Sequence, residues 1–307
     1  MRQKYNRVCT AGGGKLLIAI NEEPVIYCYV YDLYSMKLIA GTELAMLEVT
    51  DYPRAKPFFS KVTEATISLD GRFIGMLCDP GLVIKWEIGT SEPELFKIRG
   101  EDGYEAHIKS PVFIGEKLFY YMSQHWEEKE QIMHDGTCFF TDETLWQYEN
   151  LFSNGTDETL LAINNYGMHH CFNIKEGSST FSEIENKGEL HGEWKLIAFD
   201  PFSWNIYVRH EDKSNPIGSL NLISNTLSNK MLGTELESFC FSGWASENKK
   251  LLAVITISSE IVFFNLDNGM EIGRISGVDA IMPKVIYLSD KSFLTIGNDV
   301  QLWEINT

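Results

Sequence analysis

The side chains best suited to chemistry are the histidines and cysteines, and their spacing matches no common catalytic or metal-binding motif. His169, His170 and Cys171 adjoin, whereas His125 and His134 are nine residues apart. Adjacent side chains of a β-strand point to opposite faces, so His169 and His170 are poorly placed to bind one ion. No CxxC or HExxH motif accompanies them. We therefore predict no metal site and no cofactor.

Carboxylates are numerous, but nothing in the sequence pairs two of them for acid–base catalysis. Glu127, Glu128 and Glu130 form a charge run beside His125 and Trp126, and such a run typically marks a solvated loop. No GxSxG nucleophile elbow or calcium-binding loop is present. The glycines at 12–14 lack the Lys-Ser/Thr sequel of a phosphate-binding loop, so they indicate a hairpin turn. The sequence predicts no catalytic residue.

The net charge limits the class of partner. The 307 residues include 26 Lys and Arg against 43 Asp and Glu, which gives a formal charge of −17. An acidic surface repels phosphate backbones and anionic lipids, so we expect neither nucleic acid nor a membrane as a partner. A basic surface of another protein would be attracted. The alternative is that the charge only keeps the chain soluble.

The six cysteines indicate the compartment. They are spread along the chain without a CxxC pair. In a chain of this length such cysteines are typical of small buried side chains in a reducing compartment rather than of a disulfide framework. No apolar stretch approaches the length of a membrane helix. We therefore expect a cytoplasmic protein.

A short phrase recurs along the chain: an aromatic residue, an acidic or amide residue, and an aliphatic residue, at the end of an apolar run. The clearest copies are Tyr31-Asp32-Leu33, Trp86-Glu87-Ile88, Phe172-Asn173-Ile174, Phe264-Asn265-Leu266 and Trp303-Glu304-Ile305. A weaker copy is Leu220-Asn221-Leu222, and Met133-His134-Asp135 stands where another is expected. The seven copies recur about every 45 residues, in the range of one four-stranded propeller blade.

The segments between these copies have the pattern of β-strands. Apolar runs alternate with period two and end in Gly, Asp, Asn, Ser or Pro, and the pair Asp70-Gly71 between two such runs is a strong hairpin signal. The sequence therefore predicts an all-β protein, a seven-bladed β-propeller with four-stranded antiparallel blades. Because no linker or composition break is evident, residues 1–307 are expected to form a single propeller domain.

The pattern resembles the WD-repeat propellers, named for a Trp-Asp pair that ends the third strand. Trp303-Glu304, Trp86-Glu87 and Tyr31-Asp32 stand at that position, and Leu69-Asp70-Gly71-Arg72-Phe73 is similar to the family's turn between first and second strands. The resemblance implies structural roles for the repeat positions. These are Tyr31, Asp32, Trp86, Glu87, Phe172, Asn173, Phe264, Asn265, Trp303 and Glu304.

The same resemblance implies a rigid platform for contact with other proteins. In such propellers, partners commonly dock on the loops that join the outer to the inner strands and the second to the third strands. Among the candidate loops, the segment 125–130 carries His125, Trp126, Glu127, Glu128 and Glu130, and tryptophan is a common binding anchor. We expect a non-catalytic scaffold in a larger complex. A propeller enzyme with a site in the central channel, or a sensor of a small ligand or peptide, is the alternative.

Overall fold

The computed structural model consists of β-strands joined by turns. It describes residues 7–49, 58–98, 106–123, 130–141, 148–155, 158–164, 168–183, 194–210, 217–221, 226–232, 240–256, 258, 260–277, 284–297 and 300–305. The chain divides into two compact units, 1–162 and 163–307. The single domain expected from the sequence therefore stays a prediction. Within the described ranges, no helix has the length and apolar character needed to cross a membrane.

The strands form antiparallel sheets of sequential neighbours. The first sheet contains β1 (Arg7–Gly12), β2 (Lys15–Glu22), β3 (Val25–Asp32) and β4 (Leu38–Ala45). A short ladder pairs β5 (Glu48–Val49) with β6 (Phe58–Phe59). The second sheet contains β7 (Lys61–Ile67), β8 (Phe73–Asp79), β9 (Leu82–Glu87) and β10 (Glu94–Lys97), and the third contains β11 (His107–Ile114), β12 (Lys117–Ser123), β13 (Glu130–His134) and β14 (Thr137–Thr141).

The later sheets repeat this order. The fourth contains β15 (Tyr148–Phe152), β16 (Thr159–Asn164), β17 (Met168–Asn173) and β18 (Ser178–Glu183), and the fifth contains β19 (Trp194–Asp200), β20 (Asn205–His210), β21 (Ile217–Asn221) and β22 (Thr226–Leu232). The sixth contains β23 (Cys240–Ser246), β24 (Leu251–Thr256), β25 (Glu260–Asn265) and β26 (Glu271–Ser276). In the described residues the seventh contains β27 (Lys284–Ser289), β28 (Ser292–Ile296) and β29 (Val300–Glu304).

All seven third strands end inside a copy of the recurring phrase. In each sheet the last residue of this strand is the middle residue of the phrase: Asp32, Glu87, His134, Asn173, Asn221, Asn265 or Glu304. The weak copies at 133–135 and 220–222 therefore mark strand ends as faithfully as the clear ones. The prediction of seven repeated antiparallel sheets is confirmed.

Turn chemistry sets the register of these sheets. The Asp70-Gly71 turn predicted from the sequence joins β7 to β8, and Gly71 has a φ of +69°, a conformation that glycine adopts without a steric penalty. Within β3, alternate side chains are buried and half-buried along the strand, as a sheet covered on one face requires.

Apolar clusters between neighbouring sheets form the core of each unit. In the first unit, Trp86 packs with residues of the first two sheets, and Leu118 packs in a second cluster between the second and third sheets. In the second unit, Trp244 stacks on Phe293 with ring centroids 5.5 Å apart and donates its indole N–H to the Ser289 carbonyl at 2.9 Å. Each such ring buries a large apolar area, which holds adjacent sheets together.

Strands of neighbouring sheets are also linked directly in the first unit. Asn21 donates to the Val62 carbonyl and accepts from the Val62 N–H, both at 3.0 Å. Glu64 accepts from the N–H of Ser110 at 3.1 Å, where β11 carries a bulge. These bonds satisfy backbone groups that the bulged strands leave free, and they fix the spacing of neighbouring sheets.

Candidate functional site

Two sets of turns come out at the same end of each sheet, because alternate connections of an antiparallel sheet lie at the same end. They join the first strand to the second and the third strand to the fourth. In the first unit we call them the turn face: residues 13–14, 33–37, 68–72, 88–93, 115–116 and 135–136. Adjacent turns touch: the Lys15 ammonium donates to the Gly71 carbonyl at 2.6 Å, and Arg72 pairs with Glu116 at 3.0 Å.

The aliphatic residue of the recurring phrase ties the two turns of a sheet together. Its backbone N–H donates to a carbonyl in or beside the turn between the first and second strands. The bonds join Leu33 to Gly14 at 2.9 Å, Ile88 to Arg72 at 2.9 Å, Leu266 to Lys250 at 2.8 Å and Ile305 to Lys291 at 2.7 Å. These bonds link the end of the third strand to the turn between the first and second strands, and so close one end of the sheet.

The acidic or amide residue of the phrase caps the turn that follows. Its side-chain oxygen accepts the backbone N–H three residues later: Asp32 from Ser35 at 2.7 Å, Asn173 from Glu176 at 3.1 Å and Asn265 from Asn268 at 3.2 Å. The bonds from Ser35 lower the pKa of Asp32. These side chains form the Asx-type turns for which Asp and Asn are favoured.

The aromatic residue of the phrase has a packing role. The Trp86, Phe172 and Phe264 side chains are fully buried, whereas Tyr31 and Trp303 are half-buried. Trp303 donates its indole N–H to the Thr295 hydroxyl at 3.0 Å. The exposed Glu87 pairs with Arg72 at 3.0 Å, and Glu304 is exposed at the end of β29. All ten repeat positions therefore lie at the ends of third strands.

The turn at 33–37 and the start of β4 expose large apolar side chains. Within residues 34–39, Tyr34 is 67%, Met36 54%, Leu38 58% and Ile39 46% exposed. We call this stretch and the rest of β4 the apolar edge. β4 is the outermost strand of its sheet, paired with β3 alone among the described residues.

Met36 has a strained backbone. Its φ is +54°, in the left-handed region that side chains other than glycine rarely adopt. Gly177 and Gly269 occupy the corresponding position, four residues after Asn173 and Asn265, with φ of +63° and +72°. Methionine therefore stands where two other copies of the phrase have glycine, with its side chain in solvent.

Another turn of the first unit also carries an exposed apolar side chain. Leu69, beside Asp70, is 56% exposed. A Cβ added to Gly155 would lie 3.1 Å from the Leu69 Cβ, so the two turns are close together. Ser68 and the N–H of Arg72 donate to Asp70 at 2.6 and 3.0 Å, which lowers the pKa of Asp70. Leu69 therefore stands on a rigid turn next to an ionised carboxylate.

A largely buried ion pair joins β9 of the second sheet to the turn at 135–136 of the third sheet. The Lys85 ammonium lies 3.0 Å from Asp135, and both side chains are largely buried. Asp135 also accepts the N–H of Leu118 at 3.2 Å. Burial raises the pKa of the nearby Tyr120 hydroxyl. Because Asp135 is already bonded twice, the arrangement is suited to fixing the two sheets rather than to proton transfer.

The loop predicted to bind a partner lies mostly outside the described residues. This applies to His125, Trp126, Glu127 and Glu128. Glu130 is described: it begins β13, and its side chain is partly buried. The predicted role of this loop stays a prediction.

Two histidines of the described part of the chain, His134 and His170, pack against aromatic rings. His134 lies 5.4 Å from Phe119, and burial followed by the charge of Lys117 lowers the pKa of its imidazole. His170 is buried and stacks on Phe172 at 5.6 Å. Among the residues described, no three His, Cys, Asp or Glu side chains are grouped as metal ligands would be.

The chain is similar in structure to solved proteins. It matches a chain in the crystal structure of the mitotic checkpoint complex with a TM-score of 0.65 and 13% identity, covering 99% of this chain and 88% of that one. It matches Hsv2 of Kluyveromyces lactis with a TM-score of 0.66 and 12% identity, over 97% and 92% of the two chains. For BamB of Moraxella catarrhalis the values are 0.57, 13%, 97% and 86%.

At these identities the comparisons show the fold alone, a seven-bladed β-propeller. The fold class and the resemblance drawn from the sequence are thereby confirmed. No protein-family model matches the chain, and neither does any curated protein.

Proposed function

We propose that this chain is a non-catalytic scaffold that binds another protein through the turn face of its first unit. The observation that carries the proposal is the exposure of Tyr34, Met36 and Leu69 on turns that are held by hydrogen bonds. Exposed apolar side chains grouped on one surface are typical of protein contact sites. Because the turns are already ordered, binding costs little conformational entropy.

The charge around Leu69 favours a basic partner. Three carboxylates, those of Asp70, Glu87 and Glu116, lie around Arg72, which pairs with both glutamates. The Lys15 ammonium beside Gly71 is a second cation, so the carboxylates are in excess. A partner surface with basic side chains around an apolar centre would match this arrangement. The match would act mainly on the association rate and on the choice of partner.

We also propose a cytosolic location and a single propeller domain. Cys9, Cys28 and Cys78 are buried free thiols. Burial raises the pKa of Cys28 to about 12, so its thiol stays protonated and unreactive. Such side chains behave as small apolar groups, which supports a reducing compartment.

The test compares two leucines of the second sheet with nearly equal exposure. Leu69 lies on the turn face at 56% exposure, and Leu95 lies on the outer strand β10 at 54%. We expect wild type and Leu95→Asp to capture the same partner from native extract, and Leu69→Asp to lose it. A charge in the centre of a contact should weaken binding by at least about 2 kcal/mol. Equal capture by both variants would contradict the proposed face.

A further inference from the structure

We propose that Asn268 is a site of covalent modification, at which the side-chain amide reacts with the backbone nitrogen of Gly269 and is converted to aspartate and isoaspartate. The proposal is independent of partner binding. The sequence holds two Asn-Gly pairs, at 154–155 and 268–269. Glycine has no Cβ, so it leaves its backbone nitrogen open to the side chain of the preceding asparagine. The surroundings of the two pairs in the structure differ.

The turn from β25 to β26 presents Asn268 to solvent in an ordered backbone. Asn268 is exposed, and Gly269 follows it with a φ of +72°. The side-chain oxygen of Asn265 accepts the N–H groups of Asp267 at 2.8 Å and of Asn268 at 3.2 Å, which fixes the start of the turn. Water, which the reaction consumes, therefore has access to an amide whose backbone is already positioned.

A further hydrogen bond places the reacting groups side by side. The N–H of Met270 donates to the side-chain oxygen of Asn268 at 3.0 Å. The ring closed by this bond contains the Gly269 nitrogen, so the side-chain amide carbon is held next to that nitrogen. The same N–H stabilises the negative charge that develops on the oxygen when the carbon is attacked.

The reaction needs only water and solvent protons. The Gly269 nitrogen gives its proton to solvent and bonds to the side-chain amide carbon of Asn268. The bond from that carbon to the side-chain nitrogen breaks, and the nitrogen takes a proton from solvent and leaves as ammonia. Water then adds to either carbonyl of the cyclic imide and breaks one of its two C–N bonds. Position 268 becomes a carboxylate, and in the isoaspartate product the backbone of the turn is also longer.

One hydrogen bond opposes the attack. The Gly269 N–H donates to the Asn265 carbonyl at 2.8 Å, so the nitrogen reacts only when this bond opens. The strand that follows, β26, is outermost in its sheet and is paired with β25 alone in the part of the chain that the structure describes. Exposed turns beside such strands open locally at low cost in free energy.

The other Asn-Gly pair is enclosed by neighbouring turns. Asn154 is half-buried, and the Gly155 N–H donates to the Ser153 hydroxyl at 2.9 Å. The Gly155 carbonyl accepts the Gly115 N–H at 3.5 Å, and a Cβ added to Gly155 would lie 3.1 Å from the Leu69 Cβ. Opening this turn must also break the bond from Gly115. Asn154 is therefore an internal control of the same sequence motif.

The first test is storage of the purified chain at mildly alkaline pH, followed by peptide mass spectrometry. Isoaspartate is counted by methyl transfer from S-adenosylmethionine with an isoaspartate methyltransferase. We expect conversion at 268, with isoaspartate among the products. Conversion at 154 should be about fivefold slower, which corresponds to one additional hydrogen bond of about 1 kcal/mol.

The second test removes the N–H that contacts the reacting amide. Met270→Pro lacks this donor and should slow conversion at 268 by about fivefold, the effect of one hydrogen bond. Met270→Leu keeps the donor and should convert at the wild-type rate, and thermal unfolding of both variants controls for folding. An amide at 268 that survives as long as the amide at 154 would overturn the proposal. So would a folded Met270→Pro variant that converts as fast as wild type.

Discussion

At the scale of single residues, each of the three residues of the recurring phrase has a different structural role. The aromatic residue packs, the acidic or amide residue caps a turn, and the aliphatic residue donates a backbone hydrogen bond that closes the sheet end. Asp32 and Asn265 show why acid and amide are interchangeable there. Each needs only an oxygen that accepts an N–H three residues later.

The backbone conformation of Met36 predicts which of two variants, glycine or alanine, is the more stable. In an ordinary strand or turn, alanine is more stable than glycine, but at a φ of +54° the order should reverse. We expect Met36→Gly to be more stable than Met36→Ala by about 1 kcal/mol, since both lose the same apolar side chain. Urea unfolding of the two variants measures the difference. Equal stability, or a more stable alanine variant, would show that the residue is unstrained.

Asp70 is the basis of a prediction about the stability of the protein at low pH. The Ser68 hydroxyl and the Arg72 N–H lower its pKa in the folded state, so its contribution to stability is complete above the unfolded pKa and is lost as pH falls through the folded value. The window lies at and below about pH 4. We expect Asp70→Asn to flatten the fall in stability across that window, measured by urea unfolding at stepped pH. An unchanged slope would remove Asp70 from the acid response.

At the scale of elements, the glycine positions show how tightly neighbouring sheets pack. A Cβ on Gly75 of β8 would lie 2.5 Å from a Leu118 methyl group of the third sheet. In contrast, a Cβ on Gly273 of the exposed β26 would meet no atom within 4 Å. The same residue type thus serves close packing in one strand and is unconstrained in another.

We expect Gly75→Ala to destabilise the protein by about 1–3 kcal/mol through overpacking. Gly273→Ala, the matched control, should be neutral or slightly stabilising because alanine restricts the unfolded chain. Thermal unfolding of both variants gives the comparison. If Gly75→Ala were as stable as its control, the contact between the second and third sheets would be looser than described.

Much of this element order could be predicted from the sequence, because turns and period-two alternation are local signals. Six of the seven strand ends followed from the residue types of the phrase, including the weak copy at 220–222, and the spacing of the others located the copy at 133–135. The exposure of Leu38 and Ile39 could not be predicted, because the sequence of a strand does not show whether another segment of the chain covers it. A local signal did exist at Met36, which stands where two other copies of the phrase have glycine.

At the scale of the whole molecule, the fold positions the surface turns, and the residues on those turns determine which partner can bind. The likeness to solved propellers at 12–13% identity extends over nearly the whole chain, so the packing pattern persists where sequence does not. Function must therefore be argued from surfaces. The turn face of the first unit has hydrogen-bonded turns, exposed apolar side chains and flanking carboxylates, and the proposed docking of a partner rests on these three properties.

The most direct test of this account is a hydrogen-exchange footprint of the chain bound to the partner that it captures from native extract. The account predicts slower exchange on binding at 33–37 and 68–72, with 94–97 on the outer strand unchanged. Protection confined to 125–130, with no change at 68–72, would contradict it and would place the partner on the loop that the sequence singled out.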